Sequence, residues 1–553
     1  MMKKFKFVAG LLSLAMTTAC MASCGGGNGG TSEKEQNAEG KTVVKILCEA
    51  KGYGDDYAKK LAEVYNAKQS TVEIKVERSV TSVVHQSRLD AGAKSCDVDV
   101  FFTLQQNVFR NQVQVDKNHW ADLSDLYDTP AEGFVESNGT TTIEDLLDPT
   151  YVQYFTFTDG KQYAIPYTSG AVGLLYNKTL WDRTNANLAK NGKAELVLPK
   201  TTDEMFTLFD RIKTDDVKGA SENASYAFSY SGTDSYMHFM FNSLWPQYLG
   251  EEASLNFLEG KDENGVYTAD IYKSDARLYA YDVCREMIMQ KNGYVSSNDI
   301  KNGYNLEQVN FLKGSAFFSI NGDWLEKEAS SEIKPGESEV VMLRTPVMSA
   351  IVKNSAISAD FTGSDAENDA KLSAIVSFID ENYLDGNGTP SDADATTLGV
   401  ARSTLDFIYH ARRVRHALVD FVAVVPEFSA ELEEAKDFLR FMYSKEGMDI
   451  VLQNTNGCAA PMQIDYSQMS YYATATNFSK ARLDLISKAL AYGNAKNFPM
   501  QFMGNIELSV AGVQMKDLFG GTSVATAEDA MLSEYGKYAG IWNSTMEMSG
   551  VSN

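Results

Sequence analysis

From residue 42 onward the apolar positions recur in two alternating periods. TVVKILCEA (residues 42–50) is a nearly continuous apolar run, read as a buried strand. YAKKLAEVYNAK (57–68) sets Tyr57, Leu61, Val64 and Tyr65 on one helix face. TVEIKVERSV (71–80) alternates as a second strand, HQSRLDAGAK (85–94) reads as a helix, and DVDVFFTL (97–104) as a third strand. Strands and helices that alternate at this spacing predict a parallel, three-layer α/β arrangement.

Further along, GKQYAIPYTSGAVGLLYNKTLW (160–181) forms two strand-like runs broken at Pro166 and Gly170. In LPKTTDEMFTLFDRIK (198–213), Thr201 or Thr202 followed by acids is a helix-start signal. YAFSYSG (226–232) is a strand, and SYMHFMFNSLWPQYLG (235–250) and ARLYAYDVCREMIMQ (276–290) are helices. VNFLKGSAFFSINGDWLEKE (309–328) reads as a helix end, a strand and a GDW turn, and VVMLRTPVMS (340–349) as another strand. Helices are expected over 372–383, 403–419 and 431–455, the last broken near 444–447, with a polar loop at 385–397.

The first forty residues follow neither period. Lys3, Lys4 and Lys6 precede a mostly apolar stretch, 7–19, too short to span a bilayer comfortably. This is the pattern of a secretory signal peptide. The small residues before Cys24, in MASC, resemble a bacterial lipobox; Cys20 has a polar residue at the third position before it and fits less well. Residues 1–23 are thus read as a lipoprotein signal, with Cys24 as the lipidated residue. GGGNGGTSEKEQNAEG (25–40) has no aromatic or branched apolar residue and reads as a flexible tether, roughly 20–25 Å in root-mean-square span.

Composition narrows the function. The 553 residues would ordinarily suggest about three domains. With 50 Lys+Arg against 74 Asp+Glu the net charge is −24, and loss of the three signal lysines takes it to −27. Such a chain lacks the basic face that nucleic acid requires, and membrane attachment would have to come from the lipid. No internal apolar run reaches the length of a membrane helix. Outside the leader only Cys48, Cys96, Cys284 and Cys458 remain, at spacings that suit neither a zinc site nor a disulfide framework. Most of them read as buried free thiols, with one bridge as the alternative. No phosphate loop, GxSxG elbow or HExxH motif is present. The cluster IYHARRVRHALVD (408–420) holds His410, Arg412, Arg413, Arg415 and His416. It is read as pairing with nearby acids on a solvated helix face, with contact to an anionic partner as the alternative.

Five segments, in order, resemble the extracellular solute-binding protein family 1, the maltose-binding-protein-like substrate-binding lipoproteins of bacterial ABC importers. They are the strand–KGYGDD–helix at 42–68, the strand at 97–102, YAIPYTSGAVGLLYNKTLW, FLKGSAFFSINGDW, and EEAKDFLRFMYSKEGMDIVLQNTNGCAAPM. The resemblance implies a periplasmic-binding-protein type II-like fold, with two three-layer α/β lobes joined by hinge strands and ligand between them. Lobe 1 would be 41–166 plus 346–460, with an insertion at about 351–430. Lobe 2 would be 167–345 plus 461–553. It further implies a monomeric binding protein rather than an enzyme, without cofactor or metal. That protein would be held outside the cell membrane and would pass a mono- or oligosaccharide to permease subunits.

A sugar site needs aromatic faces and hydroxyl partners. Trp324 matches the family's ligand-facing tryptophan, and Asp323 lies beside it, as a ligand contact or a helix cap. Tyr53 and Lys51 occupy the first strand–helix turn, where α/β folds bind ligands. Gln105 and Gln106 follow the third strand, and Tyr167 is at the hinge. Tyr236 and Trp245 stand nine residues apart, half a turn out of phase on a regular helix, so at most one faces the cleft. Trp120 reads as core. The rival readings are a peptide, polyamine or phosphate ester as ligand, a glycan-degrading enzyme, and an adhesin.

Overall fold

The computed structural model describes residues 34–548, except 94, 105–118, 135–140, 158, 169, 223, 235, 334–337, 385–387, 417–420, 459, 489 and 493–514. Eleven strands are described. They are β1 (Thr42–Glu49), β2 (Val72–Ser79), β3 (Val100–Leu104), β4 (Ile165–Pro166), β5 (Val172–Asn177), β6 (Tyr226–Ser229), β7 (Ala316–Gly322), β8 (Val340–Met342), β9 (Val414–His416), β10 (Phe421–Val424) and β11 (Leu490–Tyr492).

The first sheet has the order β2-β1-β3-β10-β4. β1 lies parallel to β2 and β3, whereas β10 is antiparallel to β3 and β4. Side chains alternate across a strand, so a sheet apolar on both faces must be covered on both. Val44, Ile46, Cys48 and Phe102 pack into one core on one side. Leu47, Phe101, Val422 and Val424 pack into another with Trp120. This is the three-layer arrangement the sequence pattern predicts. The helix Asp56–Lys68 buries Tyr57 and Leu61, as its period requires.

The second sheet has the order β6-β7-β5-β8. β5 is antiparallel to β7 and β8, with Leu174 opposite Ile320, and β6 is parallel to β7. Every residue of β5 and β7 is buried. The helix Met237–Leu249 is apolar around almost its whole circumference and sits inside the structure, as such a helix must. Thr201 caps the helix Thr202–Ile212 by accepting from the Glu204 N–H at 3.2 Å.

The 431–455 helix is two helices, Leu432–Met442 and Lys445–Asn454. Ser444 caps the second by accepting from the Gly447 N–H at 3.0 Å. A Cβ on Gly447 would lie 2.1 Å from the Phe441 carbonyl oxygen, so the tight break needs glycine.

Three regions depart from the sequence reading. The polar loop expected at 385–397 carries a helix, Asp392–Leu398, capped by Ser391. The helix expected over 403–419 ends at Arg413, and the chain turns into β9, which pairs with β11. The expectation also placed residues 346–460 together with the first sheet. The helices Asp365–Asn382 and Arg402–Arg413 instead hold to the second-sheet side. There Lys200 and Arg412 both bind Asp380, and Arg412 donates to the Thr345 carbonyl. The chain rejoins the first sheet only at β10.

At the end of the chain, the helix Ala527–Met548 packs on the helix Asp275–Ile288. Arg277 and Glu534 form a fully buried ion pair between them. All four described cysteines are free thiols; Cys48, Cys284 and Cys458 are buried and Cys96 is partly so.

Candidate functional site

The carboxyl ends of β1 and β7, one from each sheet, meet in the interior. After β1 the KGYGDD turn runs through Gly52 at φ +60°, a left-handed conformation that costs glycine little. The turn delivers Tyr53 to the end of β7. Its hydroxyl donates to Asp323 Oδ1 at 2.9 Å, across 270 residues of sequence. The Tyr53 ring meets Phe421 edge-on at 5.2 Å.

Asp323 is fully buried. Its Oδ2 accepts the Ala171 N–H at 3.3 Å and lies 3.7 Å from Arg482. Burial raises its pKa, and the nearby Arg482 and the Tyr53 hydroxyl offset that only partly. The residue does not cap a helix; it ties the two halves together.

Trp324 follows. Its indole folds back over Gly322, where a Cβ would fall 2.3 Å from a ring atom. Any side chain there would expel the ring. Tyr236 and Phe239 present edges to Trp324 at 6.1 and 5.9 Å. Tyr304 stacks on Tyr236 at 6.4 Å, and the His416 ring lies 6.0 Å from Phe239. Burial raises the Tyr236 pKa, so its hydroxyl stays protonated and can donate. The junction thus supplies aromatic edges, a carboxylate and phenol hydroxyls, which are the groups that bind a polyhydroxyl ligand.

Four expected residues, Tyr53, Asp323, Trp324 and Tyr236, come together here. Lys51 is at the rim of the same turn, half-exposed, 3.3 Å from the buried Glu49. Tyr167 is completely buried; it accepts from the Tyr57 hydroxyl at 2.9 Å and lies against Phe102 at 4.9 Å. Trp245 is likewise fully buried, against Phe257 at 4.6 Å, with its N–H donated to Asn242. Gln105, Gln106 and Cys24 lie outside the described residues. Phe239, His416, Arg415 and Arg482 were not chosen from sequence. Arg415 and His416 did stand in the basic cluster, whereas nothing marked Phe239 or Arg482.

Among the described residues no group of His, Cys, Asp or Glu side chains is arranged to hold a metal ion. No described helix is long and apolar enough to cross a membrane.

The sequence profile of a family described as bacterial extracellular solute-binding protein matches residues 60–462. No curated protein matches the chain. Several solved structures share its fold. One comes from work on xylan utilization by the thermophilic bacterium Caldanaerobius polysaccharolyticus, at 14% identity and TM-score 0.52, covering 92% of this chain and 99% of that one. The GacH receptor of Streptomyces glaucescens, solved unliganded and with acarbose, aligns at 14% identity and TM-score 0.52, over 91% and 98% of the two chains. A chitin oligosaccharide binding protein aligns at 16% identity and TM-score 0.53, over 92% and 99%.

Proposed function

The chain belongs to the bacterial extracellular solute-binding proteins, and on that premise we propose that it captures a mono- or oligosaccharide between its two sheets and hands it to an ABC permease. The observation that carries this reading is the meeting of Tyr53 with Asp323 beside the Trp324, Tyr236 and Phe239 rings. A ligand bridging these groups would contact both halves at once, so binding favours the closed arrangement. The similar structures, among them a receptor solved with acarbose, a chitin oligosaccharide binding protein and a protein from work on xylan utilization, support the same class of ligand.

Within this reading the first lobe comprises the first sheet with residues 421–460. The second lobe takes the second sheet with 365–416 and the final helices. Cys24 carries the lipid, residues 25–40 form the tether, and the protein works as a monomer outside the cell membrane. Trp324 supplies the stacking face, Asp323 and Tyr53 bind hydroxyls, Tyr236 supports the indole, and Lys51 sits at the entrance.

Thermal-shift screening against a sugar library tests the proposal, since a ligand of the native state raises the melting temperature by mass action. At least one sugar should stabilise the parent, and Trp324→Ala should abolish that shift while the variant remains folded. Stabilisation by amines or peptides alone would replace the sugar reading. An undiminished shift in the variant would remove Trp324 from the site.

A further inference from the structure

Four arginines are buried among the described residues: Arg277, Arg412, Arg415 and Arg482. Three have partners. Arg277 binds Glu534, Arg412 binds Asp380, and Arg482 donates to Ser479 and the Asn456 carbonyl beside Asp323. Arg415 differs. It is 5% exposed, and among the described residues its Nε, Nη1 and Nη2 have no hydrogen-bond partner. A guanidinium cannot escape this cost by losing its proton, and burying an unpaired charge is strongly unfavourable.

Its position gives the cost a use. Arg415 is the central residue of β9, held in register opposite Ala491 of β11. Successive side chains of a strand point to opposite faces, so the contact of His416 with the Phe239 ring leaves Arg415 on the other face of β9, where its charge acts on Asp323 and Tyr466. The carboxylate of the site is already engaged: Asp323 receives Tyr53, the Ala171 N–H and Arg482. The Arg415 charge also acts on Asp323, favouring its ionised form. A planar fork of donors with nothing to bind fits a flat or tetrahedral oxyanion bidentately.

We propose that the ligand of this site is an acidic saccharide, whose carboxylate or sulfate group pairs with Arg415. The inference rests on the saccharide reading above and narrows it. The rings and hydroxyl partners around Trp324 hold the sugar body, and Arg415 selects the charged substituent.

The test uses the chain from Lys34 onward, which forms one compact unit. The probes are oligogalacturonates, glucuronic-acid-bearing xylo-oligosaccharides and sulfated oligosaccharides, each beside its methyl-esterified or desulfated neutral form. One acidic class should raise the melting temperature while its neutral counterpart does not, and the class that acts identifies the substituent. Arg415→Gln should weaken that binding roughly 30-fold or more, as loss of one partner of a buried charge pair does. Without ligand, Arg415→Met should melt no lower than the parent, because it removes an unpaired buried charge. Stabilisation by neutral oligosaccharides alone, with Arg415→Gln binding them equally, would overturn the acidic assignment and leave the saccharide reading standing. Stabilisation by amines or peptides alone would overturn both. A marked fall in the melting temperature of ligand-free Arg415→Met would show a structural role for the guanidinium and also overturn the inference.

Discussion

Arg277 and Arg415 are both buried cations, yet the regions around them are built differently. Arg277 sits between the helices Asp275–Ile288 and Ala527–Met548. Its Nε is 2.8 Å from Glu534, and the rings of Phe241 and Phe257 lie 4.7 and 4.9 Å from the guanidinium. Arg415, in β9, has no hydrogen-bond partner for its guanidinium among the described residues. The first arginine is completed by the chain itself and closes the fold around the C-terminal helix. The second is left incomplete beside the proposed site. Burial alone says nothing about role; the presence or absence of a partner does.

The contrast can be broken at its strongest point first. Glu534→Gln should leave Arg277 as unpaired as Arg415 and cost about 3–5 kcal/mol in urea denaturation. A loss under about 1 kcal/mol would mean that the surrounding rings alone can hold the cation.

A third buried charge sharpens the comparison from the acidic side. Glu307 is fully buried, bonded to Ser229 at 2.7 Å and Ser319 at 2.6 Å, and burial lifts its pKa from 4.5 to about 7. Between those two values the folded state keeps a proton that the unfolded state has released. The stability contribution is therefore complete below pH 4.5 and is lost as pH rises through 7, on the order of 3 kcal/mol across the window. Glu307→Gln should flatten this part of the stability–pH curve; a slope equal to the parent's would mean the carboxyl is already ionised in the fold. Unlike Arg415, a carboxyl can give up its charge when it lacks a cation.

Removing the unpaired cation has a smaller effect. Arg415→Met should leave stability unchanged or raise it by up to about 2 kcal/mol, measured by denaturant titration. The smallest effect belongs to an exposed pair. Lys68 and Glu446, both about half-exposed, link the helices Asp56–Lys68 and Lys445–Asn454, which pack on each other. A double-mutant cycle on them should give no more than about 0.5 kcal/mol.

Much of the fold was legible because it rests on local periodicity. The strand–helix alternation over 42–104 appears as expected, and the Ser444–Gly447 break has the serine cap and glycine that mark it in sequence. The site was legible only in part. Tyr53 and Trp324 lie at turns after strands, a position readable from the chain. Trp245 stands out by residue type and Tyr167 by its place at the hinge, and neither signal reports that the rings pack against Phe257 and Phe102. The basic cluster was read as a solvated helix face because its spacing continues the helix. The turn into β9 comes from pairing with β11, more than seventy residues later, and no local pattern reports a partner at that distance.

The cysteines have a consequence for how this protein can be studied. Burial pushes the Cys48 thiol up to about 12 and raises Cys284 and Cys458 as well. At neutral pH these sulfurs stay protonated and buried, so alkylating reagents and oxidants find no thiolate at these three positions. Modification at these three positions must wait for the chain to open, and its rate is then a clock for opening itself. With Cys96 replaced by serine the background would be chemically silent. A pair of cysteines placed on either side of the junction could then carry dyes and report the separation of the two sheets, molecule by molecule, as sugar is added.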